Sequence, residues 1–180
     1  MKKKIKKGIT LVIGGARSGK SSYALMSAMS GRKRAFIATA TACDVEMVER
    51  IAKHRMERAN NFLTIEEPLD LAGALRSLPV GTDAVIIDCL TVWMGNLMHY
   101  HGAAMQTFPQ IGEFLTAIGS APFDLLVVTN EVGMGIVPDN EMGRKFRDMA
   151  GRLNAQVAQI ADVVVLLVSG IPLTIKGKSI

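Results

Sequence analysis

One short segment limits the possible folds more than any other. Residues 14–21 are Gly-Gly-Ala-Arg-Ser-Gly-Lys-Ser and match the pattern G-x-x-x-x-G-K-[ST]. An apolar run, residues 9–13, comes directly before this segment, and a stretch compatible with a helix follows it. In such a loop successive backbone N–H groups point inward around phosphates, and glycines accept conformations that side chains would block. A structural glycine-rich turn is the alternative interpretation, and it leaves the flanking strand and helix unexplained.

Each part of this loop has an expected role. Lys20 should contact the β- and γ-phosphates of a nucleotide, and Ser21 should be a ligand of Mg²⁺. The N-terminus of the following helix favours the same anion. The predicted nucleotide loop consists of Gly14, Gly15, Ala16, Arg17, Ser18, Gly19, Lys20 and Ser21.

Short apolar runs alternate with longer segments of helical period along the chain. A strand in a parallel sheet is buried on both faces and is therefore apolar throughout, so this alternation indicates a mostly parallel sheet with helices on both faces. The predicted fold class is α/β. The predicted strands cover residues 9–13, 35–38, 62–65, 84–88, 125–129, 163–168 and 171–175.

The clearest predicted helix follows Pro138, with Asp139 as its expected N-cap. Its apolar residues recur at helical spacing and should pack on the sheet. They are Phe146, Met149, Ala150, Leu153, Val157 and Ile160. The other predicted helices cover residues 20–30, 44–60, 69–77, 92–100 and 111–118. No linker interrupts the series, so residues 8–180 are predicted to form a single nucleotide-binding domain.

The charge of the chain is concentrated at its start. The net charge is +5, but five lysines lie within residues 1–7, and without them sixteen basic residues balance sixteen acidic ones. The body therefore lacks the basic excess of a nucleic-acid-binding protein, and residues 1–7 are predicted to be a basic tail. The longest apolar run has six residues, whereas a membrane helix needs about 20. Only Cys43 and Cys89 occur, which favours a reducing, cytoplasmic setting.

Asp88 ends the apolar run 84–88. A carboxylate at the end of a buried strand is what a Mg²⁺ site beside the nucleotide loop requires, and we expect this strand to lie beside the first one. A turn or helix cap is the alternative role for such an aspartate.

His54 is the histidine with the most informative neighbours. Arg50, His54 and Arg58 recur every four residues and share one face of the predicted helix 44–60. Arginines can hold phosphate oxygens while a neutral imidazole attacks phosphorus. From the spacing alone a solvated charged face is the favoured interpretation, because a lone histidine on a charged helix is usually solvated. His99 and His101 lack the spacing of a metal site and are interpreted as surface or loop residues.

Residues 129–138 carry polar groups at a strand end, followed by two glycines. In an open α/β sheet ligands bind at this edge, so the segment is either a substrate-facing lid or a long irregular connection.

Six segments together resemble the bifunctional adenosylcobinamide kinase / adenosylcobinamide-phosphate guanylyltransferase family of cobalamin biosynthesis. Many nucleotide-binding proteins share the glycine-rich loop, whereas Thr-Asn-Glu-Val-Gly-Met-Gly is far more specific to this family. The matching segments are residues 14–21, 50–55, 88–91, 128–138, 146–152 and 168–172.

This resemblance implies a RecA-like P-loop NTPase fold and a two-step catalytic domain. The γ-phosphate of ATP or GTP first goes to the aminopropanol hydroxyl of adenosylcobinamide. The histidine matching His54 then takes GMP from GTP and passes it to adenosylcobinamide phosphate, which gives adenosylcobinamide-GDP. Mg²⁺ is the implied cofactor, held by Ser21 and Asp88. The family also implies a homo-oligomer, such as a trimer.

The resemblance assigns catalysis to His54, Lys20 and Asp88. Two other enzyme or binding classes stay open from the residues alone: a small-molecule kinase without a nucleotidylated intermediate, and a nucleotide-dependent switch module. Besides the loop, the implied nucleotide-binding residues are Thr39, Ala40, Thr41, Arg55, Met56, Glu57, Arg58, Glu66 and Asp88.

Overall fold

The computed structural model describes residues 8–41, 61–102, 105 and 107–178. Within them the strands are β1 (Ile9–Gly14), β2 (Arg34–Ala38), β3 (Leu63–Glu66), β4 (Ala84–Asp88), β5 (Asp124–Asn130), β6 (Val163–Val168) and β7 (Ile171–Lys176). The helices are α1 (Lys20–Ala28), α2 (Leu71–Arg76), α3 (Leu90–His101), α4 (Pro109–Gly119) and α5 (Glu141–Ile160), with a 3₁₀ turn at Val132–Met134.

The described strands form one seven-stranded sheet in the order β3-β2-β4-β5-β1-β6-β7. Every neighbouring pair is parallel except β6 and β7, which are antiparallel. The predicted mostly parallel sheet is confirmed. The expectation that β4 lies beside β1 is wrong, because β5 pairs with both strands and separates them.

Side chains from alternate strand positions form a core on each face of the sheet, as the two-residue period of a strand requires. Leu11, Ile37 and Ile87 are fully buried on the face that α2, α3, α4 and α5 cover. Val12 and Ile86 are buried on the opposite face, against α1. The sheet is thus covered by helices on both faces, and all its parallel strands end at one edge.

The longest helix begins one residue later than predicted. Asn140 is the N-cap of α5, and its side chain accepts a hydrogen bond from the Gly143 N–H at 2.7 Å. Asp139 instead accepts a hydrogen bond from the Asn140 side-chain amide. Both residue types cap helices well, so the sequence could not distinguish two that are adjacent. The predicted stripe is buried at Met149, Ala150, Leu153 and Val157, with Phe146 partly buried, but Ile160 is exposed at the last turn.

The other predicted elements lie within two residues of the observed ones where the structure describes them. The predicted helix 44–60 lies outside the described residues. Within the described part of the chain, no helix has both the length and the apolar content that a membrane crossing requires.

Candidate active site

The glycine-rich loop leaves the carboxyl end of β1 and enters the first turn of α1. Gly14 is buried, and a Cβ atom there would collide with the backbone oxygen of Leu167 on β6. Gly19 has φ 93°, in the left-handed region that glycine adopts without strain. The loop therefore requires glycine at both positions, once for space and once for conformation.

Lys20 is a buried cation inside this loop. Its exposed fraction is 7%, and its ammonium donates a hydrogen bond to the Gly15 backbone oxygen at 2.5 Å. The Ser18 hydroxyl lies 3.5 Å from the same nitrogen. Because the ammonium is folded back into the loop, its charge is already located where the phosphates of a nucleotide would bind.

The turn between β6 and β7 forms a hydrogen bond with the glycine-rich loop. The Gly170 N–H donates to the Ser18 backbone oxygen at 3.0 Å. On its other side, the Glu131 N–H donates to the Gly14 backbone oxygen at 3.1 Å. The loop is thus connected to the carboxyl ends of both strands that pair with β1.

Asp88 lies at the same edge of the sheet. The strand register places Asp88 level with Ala38 on β2, and Ala38 level with Glu66 on β3. The Asp88 side chain is half-buried, and no hydrogen bond among the described residues engages its carboxylate. Asp88 and the glycine-rich loop therefore share an edge although their strands are not adjacent.

The Thr39 hydroxyl fixes the backbone that follows Asp88. Thr39 Oγ1 accepts a hydrogen bond from the Cys89 N–H at 2.8 Å and donates one to the Cys89 backbone oxygen at 2.9 Å. The Thr39 N–H donates to the Asp88 backbone oxygen at 3.2 Å. The Asn96 side-chain amide in turn donates to the Thr39 backbone oxygen and to that of Pro68. One buried threonine and one asparagine thus connect the ends of β2 and β4 with the segment after β3.

Nearby charges shift the pKa of the buried thiol of Cys89. Burial, and to a smaller extent the negative charge of Asp88, raise the pKa of Cys89 to about 11. The positive charge of Lys20 acts in the opposite direction on the same pKa. Asp88 and Lys20 are therefore both close enough to influence one buried group.

A closed hydrogen-bond circuit holds the end of β5. The Asn130 N–H donates to Thr91 Oγ1, and the Thr129 hydroxyl donates to Asn154 Oδ1, each at 2.8 Å. The two threonine oxygens are 3.2 Å apart, and Asn154 Nδ2 donates to the Asn130 backbone oxygen at 3.0 Å. Since Thr129 donates to Asn154, the Thr91 hydroxyl is the donor between the two threonines. The circuit fixes the peptide groups of Asn130 at the edge beside the glycine-rich loop.

With this geometry established, comparison with known proteins identifies the family. The model of the family described as cobinamide kinase / cobinamide phosphate guanyltransferase matches residues 10–175. The chain belongs to this family. The resemblance of the six sequence segments is confirmed, and with it the membership in a family of transferases.

Two curated relatives agree with the family model. The chain is 41% identical to the bifunctional adenosylcobalamin biosynthesis protein CobP of Pseudomonas aeruginosa, over 93% of this chain and 97% of the relative. It is 37% identical to the bifunctional adenosylcobalamin biosynthesis protein CobU of Escherichia coli, over 92% of this chain and 98% of the relative. The similarity to each relative therefore extends over nearly the whole length of both chains.

A solved structure supports the fold class. An ATPase from the type III secretion system of pathogenic bacteria aligns with a TM-score of 0.50 at 12% identity, over 89% of this chain and 51% of that one. At this identity the likeness concerns the fold alone. Together with the sheet order it confirms the predicted RecA-like P-loop NTPase fold for this cobinamide kinase / guanyltransferase family member.

The structure brings together several residues that the sequence predicts for the site. The glycine-rich loop, Asp88 and Glu66 all lie at the carboxyl edge of the sheet, and Ala40 and Thr41 follow β2 at that edge. Thr39 is fully buried, and its hydroxyl is used by Cys89. The nucleotide contact predicted for Thr39 stays a prediction, while the structure gives its side chain a positioning role.

The predicted nucleophile His54 lies outside the described residues, as do Arg50, Arg55, Met56, Glu57 and Arg58. His99 and His101 lie exposed in the last turn of α3. The described residues contain no group of three or more His, Cys, Asp or Glu side chains that could hold a metal ion. A fully protein-held metal cage is therefore not a feature of the described part of this family member.

The sequence did not predict a supporting role at the site for Thr91, Asn96 and Asn154. Asn154 is 4% exposed and lies within the apolar stripe of α5, next to Leu153. A polar residue that interrupts a buried stripe needs a hydrogen-bond partner, and this interruption was the available signal.

Proposed function

We propose that this chain phosphorylates adenosylcobinamide with ATP or GTP and then transfers GMP from GTP to the product, as a bifunctional enzyme of adenosylcobalamin biosynthesis. The observation that carries the proposal is the buried ammonium of Lys20 inside a complete phosphate loop, in a chain of the cobinamide kinase / cobinamide phosphate guanyltransferase family. Both reactions transfer a phosphorus group from a nucleoside triphosphate, so one phosphate site can serve both.

In the kinase step the hydroxyl oxygen of the aminopropanol arm attacks the γ-phosphorus. The bond from that phosphorus to the β–γ bridging oxygen breaks, the hydroxyl proton is released, and the nucleoside diphosphate leaves. Negative charge builds on the phosphate oxygens and the leaving group, and Lys20 with the backbone N–H groups of the loop would stabilise it.

In the guanylyl step we propose His54 as the nucleophile. A neutral ring nitrogen attacks the α-phosphorus of GTP, a phosphorus–nitrogen bond forms, and pyrophosphate leaves. A phosphate oxygen of adenosylcobinamide phosphate then attacks the same phosphorus, the phosphorus–nitrogen bond breaks, and adenosylcobinamide-GDP forms. The arginines that recur around His54 in the sequence support this proposal, since each displacement needs its phosphate charge neutralised.

The residues at the edge of the sheet fit a magnesium ion. Ser21 and Asp88 offer a hydroxyl and a carboxylate, the hard oxygen ligands that Mg²⁺ prefers, and Mg²⁺ commonly takes only one or two carboxylates besides phosphates. We propose these two residues as its protein ligands. When bound, the ion would neutralise phosphate charge during transfer.

The remaining predicted contacts are also proposals. Thr39, Ala40 and Thr41 would approach the nucleotide from the end of β2, and Glu66 from the end of β3. Arg55, Met56, Glu57 and Arg58 would contact it beside His54. The support for these contacts is the family resemblance and, for the residues on β2 and β3, their place at the edge that carries the phosphate loop.

We further propose a cytoplasmic homo-oligomer in which residues 8–180 form one catalytic domain and residues 1–7 a dispensable basic tail. Its substrates ATP and GTP and the free thiol of Cys89 support the cytoplasmic setting. The balanced charge of the body argues against a nucleic-acid partner.

Labelling with α-³²P-GTP and Mg²⁺ tests the central proposal. The wild-type protein should acquire acid-labile label and release it to adenosylcobinamide phosphate, whereas a His54→Ala variant should acquire none. His99→Ala is the matched control, because His99 is an exposed histidine on α3, and it should label like the wild type. A kinase without a nucleotidylated intermediate would leave the wild type unlabelled, and label on His54→Ala would refute the nucleophile.

A further inference from the structure

The segment between β5 and α5 exposes an unusual amount of apolar side chain. Met134 is 80% exposed, Ile136 is 96% exposed and Val137 is 61% exposed. Met142, in the first turn of α5, is 62% exposed. We refer to Met134, Ile136, Val137 and Met142 as the apolar tip. Single exposed apolar residues are ordinary on protein surfaces, but four within nine residues of one segment are a concentration that indicates a binding surface.

The first end of this segment is attached to the nucleotide site. The Glu131 N–H donates to the Gly14 backbone oxygen, and the circuit of Thr91, Thr129 and Asn154 holds both peptide groups of Asn130. Five residues of fully extended chain span at most about 18 Å, so Ile136 lies within that reach of the phosphate loop.

The second end is equally well held. Arg144 Nη1 donates hydrogen bonds to the backbone oxygens of Pro138 at 3.1 Å and Asp139 at 2.8 Å. Asn140 caps the first turn of α5 through Gly143. The side chain of Glu131 also accepts a hydrogen bond from the Gly133 N–H within the segment. Met134, Ile136 and Val137 therefore lie exposed between two anchored ends, and Met142 follows in the first turn of α5.

The chemistry of the tip does not suit a nucleotide. Residues 132–138 are Val-Gly-Met-Gly-Ile-Val-Pro and contain no charged side chain, so they offer no positive charge to a triphosphate. They suit an uncharged part of a large ligand that is bound beside the phosphates. The family description names cobinamide as the acceptor. The corrin ring of a cobinamide carries methyl groups among uncharged amides, and the hydroxyl that reacts lies at the end of a side arm.

We propose that the apolar tip is the docking surface for the corrin ring of the acceptor. The ring would pack against Met134, Ile136 and Val137 while its aminopropanol arm reaches the phosphate loop. This inference rests on the proposed function and adds the residues that hold the second substrate. It also decides between the two interpretations of residues 129–138, in favour of a substrate-facing segment that is already anchored.

Serine substitutions at the tip test the proposal through binding rather than turnover. The Kd for cobinamide is measured by equilibrium dialysis, followed by the visible absorbance of the corrinoid, and the Kd for GTP is measured on the same preparations. Losing one large apolar contact should raise the Kd for cobinamide about tenfold in Ile136→Ser and in Met134→Ser. The Kd for GTP should change less than about twofold, since the tip contacts no phosphate.

Val80→Ser is the matched control. Val80 is 97% exposed in the turn before β4, at the opposite edge of the sheet, so its loss should leave both dissociation constants unchanged. An unchanged Kd for cobinamide in both tip variants would overturn the proposal. A change in particle size in solution would also overturn it, because the tip would then be a subunit contact. Failure of the proposed function would look different: the wild-type protein itself would transfer no phosphate to cobinamide.

Discussion

Aspartate side chains lie at both edges of the sheet, but they have different surroundings at the two edges. Asp83, Asp124 and Asp162 lie at the amino edge, each at or just before the start of a strand. Asp88 lies at the carboxyl edge, at the end of its strand. At the first edge carboxylates hold the backbone together, whereas at the second a carboxylate faces the place where a nucleotide would bind.

The amino-edge carboxylates all accept backbone hydrogen bonds from a neighbouring part of the chain. Asp124 accepts from the Gly8 N–H and Asp162 from the Ile9 N–H, each at 2.9 Å. Asp83 accepts from the N–H groups of Arg32 and Lys33. These bonds connect the starts of β4, β5 and β6 to the segments that lead into β2 and β1.

At the carboxyl edge neutral groups perform the connecting role. Hydroxyls and amides of Thr39, Thr91, Asn96, Thr129 and Asn154 bond the strand ends together. These connecting groups are uncharged, in contrast to the aspartates of the amino edge. The position of an aspartate along its strand therefore separates the carboxylates that hold backbone N–H groups from the one that we propose as a magnesium ligand.

The largest effect is expected when Asp88 at the carboxyl edge and Asp124 at the amino edge are each replaced by alanine in separate variants. Asp88→Ala should lower kcat of the kinase step about 100-fold or more, because a charge that organises the transition state is lost. Its free energy of unfolding should change little. Asp124→Ala should lower the free energy of unfolding by about 1–2 kcal/mol, since the Gly8 N–H loses a charged acceptor, and kcat should stay the same. Urea denaturation and a γ-label transfer assay measure both quantities. If Asp124→Ala impaired turnover of the folded enzyme as strongly as Asp88→Ala, the distinction between the edges would be lost.

A second test concerns Thr39, which belongs to the framework by its contacts and to the nucleotide site by family resemblance. Thr39→Val removes the hydroxyl that bonds to Cys89 on both sides and should lower the free energy of unfolding by roughly 1–3 kcal/mol. We expect kcat to fall about tenfold, because the turn after Asp88 loses its support. Thr39→Ser keeps the hydroxyl and should recover most of kcat. An increase in the nucleotide KM with unchanged kcat would instead identify Thr39 as a direct nucleotide contact.

The smallest expected effect concerns the thiol of Cys89, which lies next to Asp88 in the chain and is buried. Burial and Asp88 raise the pKa of Cys89 from 9.0 to about 11, so the folded protein keeps this proton at a pH where the unfolded chain has lost it. The contribution of Cys89 to stability is therefore constant below about pH 9 and decreases as the pH rises toward 11. The difference in free energy of unfolding between the wild type and Cys89→Ala should shift by about 2–3 kcal/mol across this range. A difference that does not depend on pH would show that the thiol is not held protonated beside Asp88.

Local patterns in the sequence were sufficient to predict most of the fold. Short continuous apolar runs such as residues 84–87 and 163–168 indicate buried strands, and the bounds of these predicted strands are confirmed. The order of the strands could not be obtained in the same way. Nothing in the run that ends at Asp88 encodes that β5, which follows later in the chain, inserts between β4 and β1.

For the site as well, the sequence predicted the contiguous parts but not the contacts between distant residues. The phosphate loop is contiguous in sequence, so its pattern predicts its place directly. The contact between Thr39 and Cys89 joins residues 50 positions apart, and that between Thr129 and Asn154 joins residues 25 apart. Such pairs depend on the sheet order and on helix docking, which a single sequence does not display. A threonine at a strand end looks the same whether it contacts a ligand or supports a neighbouring turn.

The central claim is that one phosphate site at the carboxyl edge serves both transfers. The most direct measurement compares Lys20→Ala with the wild type in two assays on one preparation: transfer of γ-label to cobinamide and attachment of α-label from GTP to the protein. Lys33→Ala, at an exposed lysine before β2, is the control. We predict that both rates fall at least about 100-fold in Lys20→Ala, because one buried ammonium stabilises both transition states. Loss of one activity with full retention of the other would contradict a single shared site.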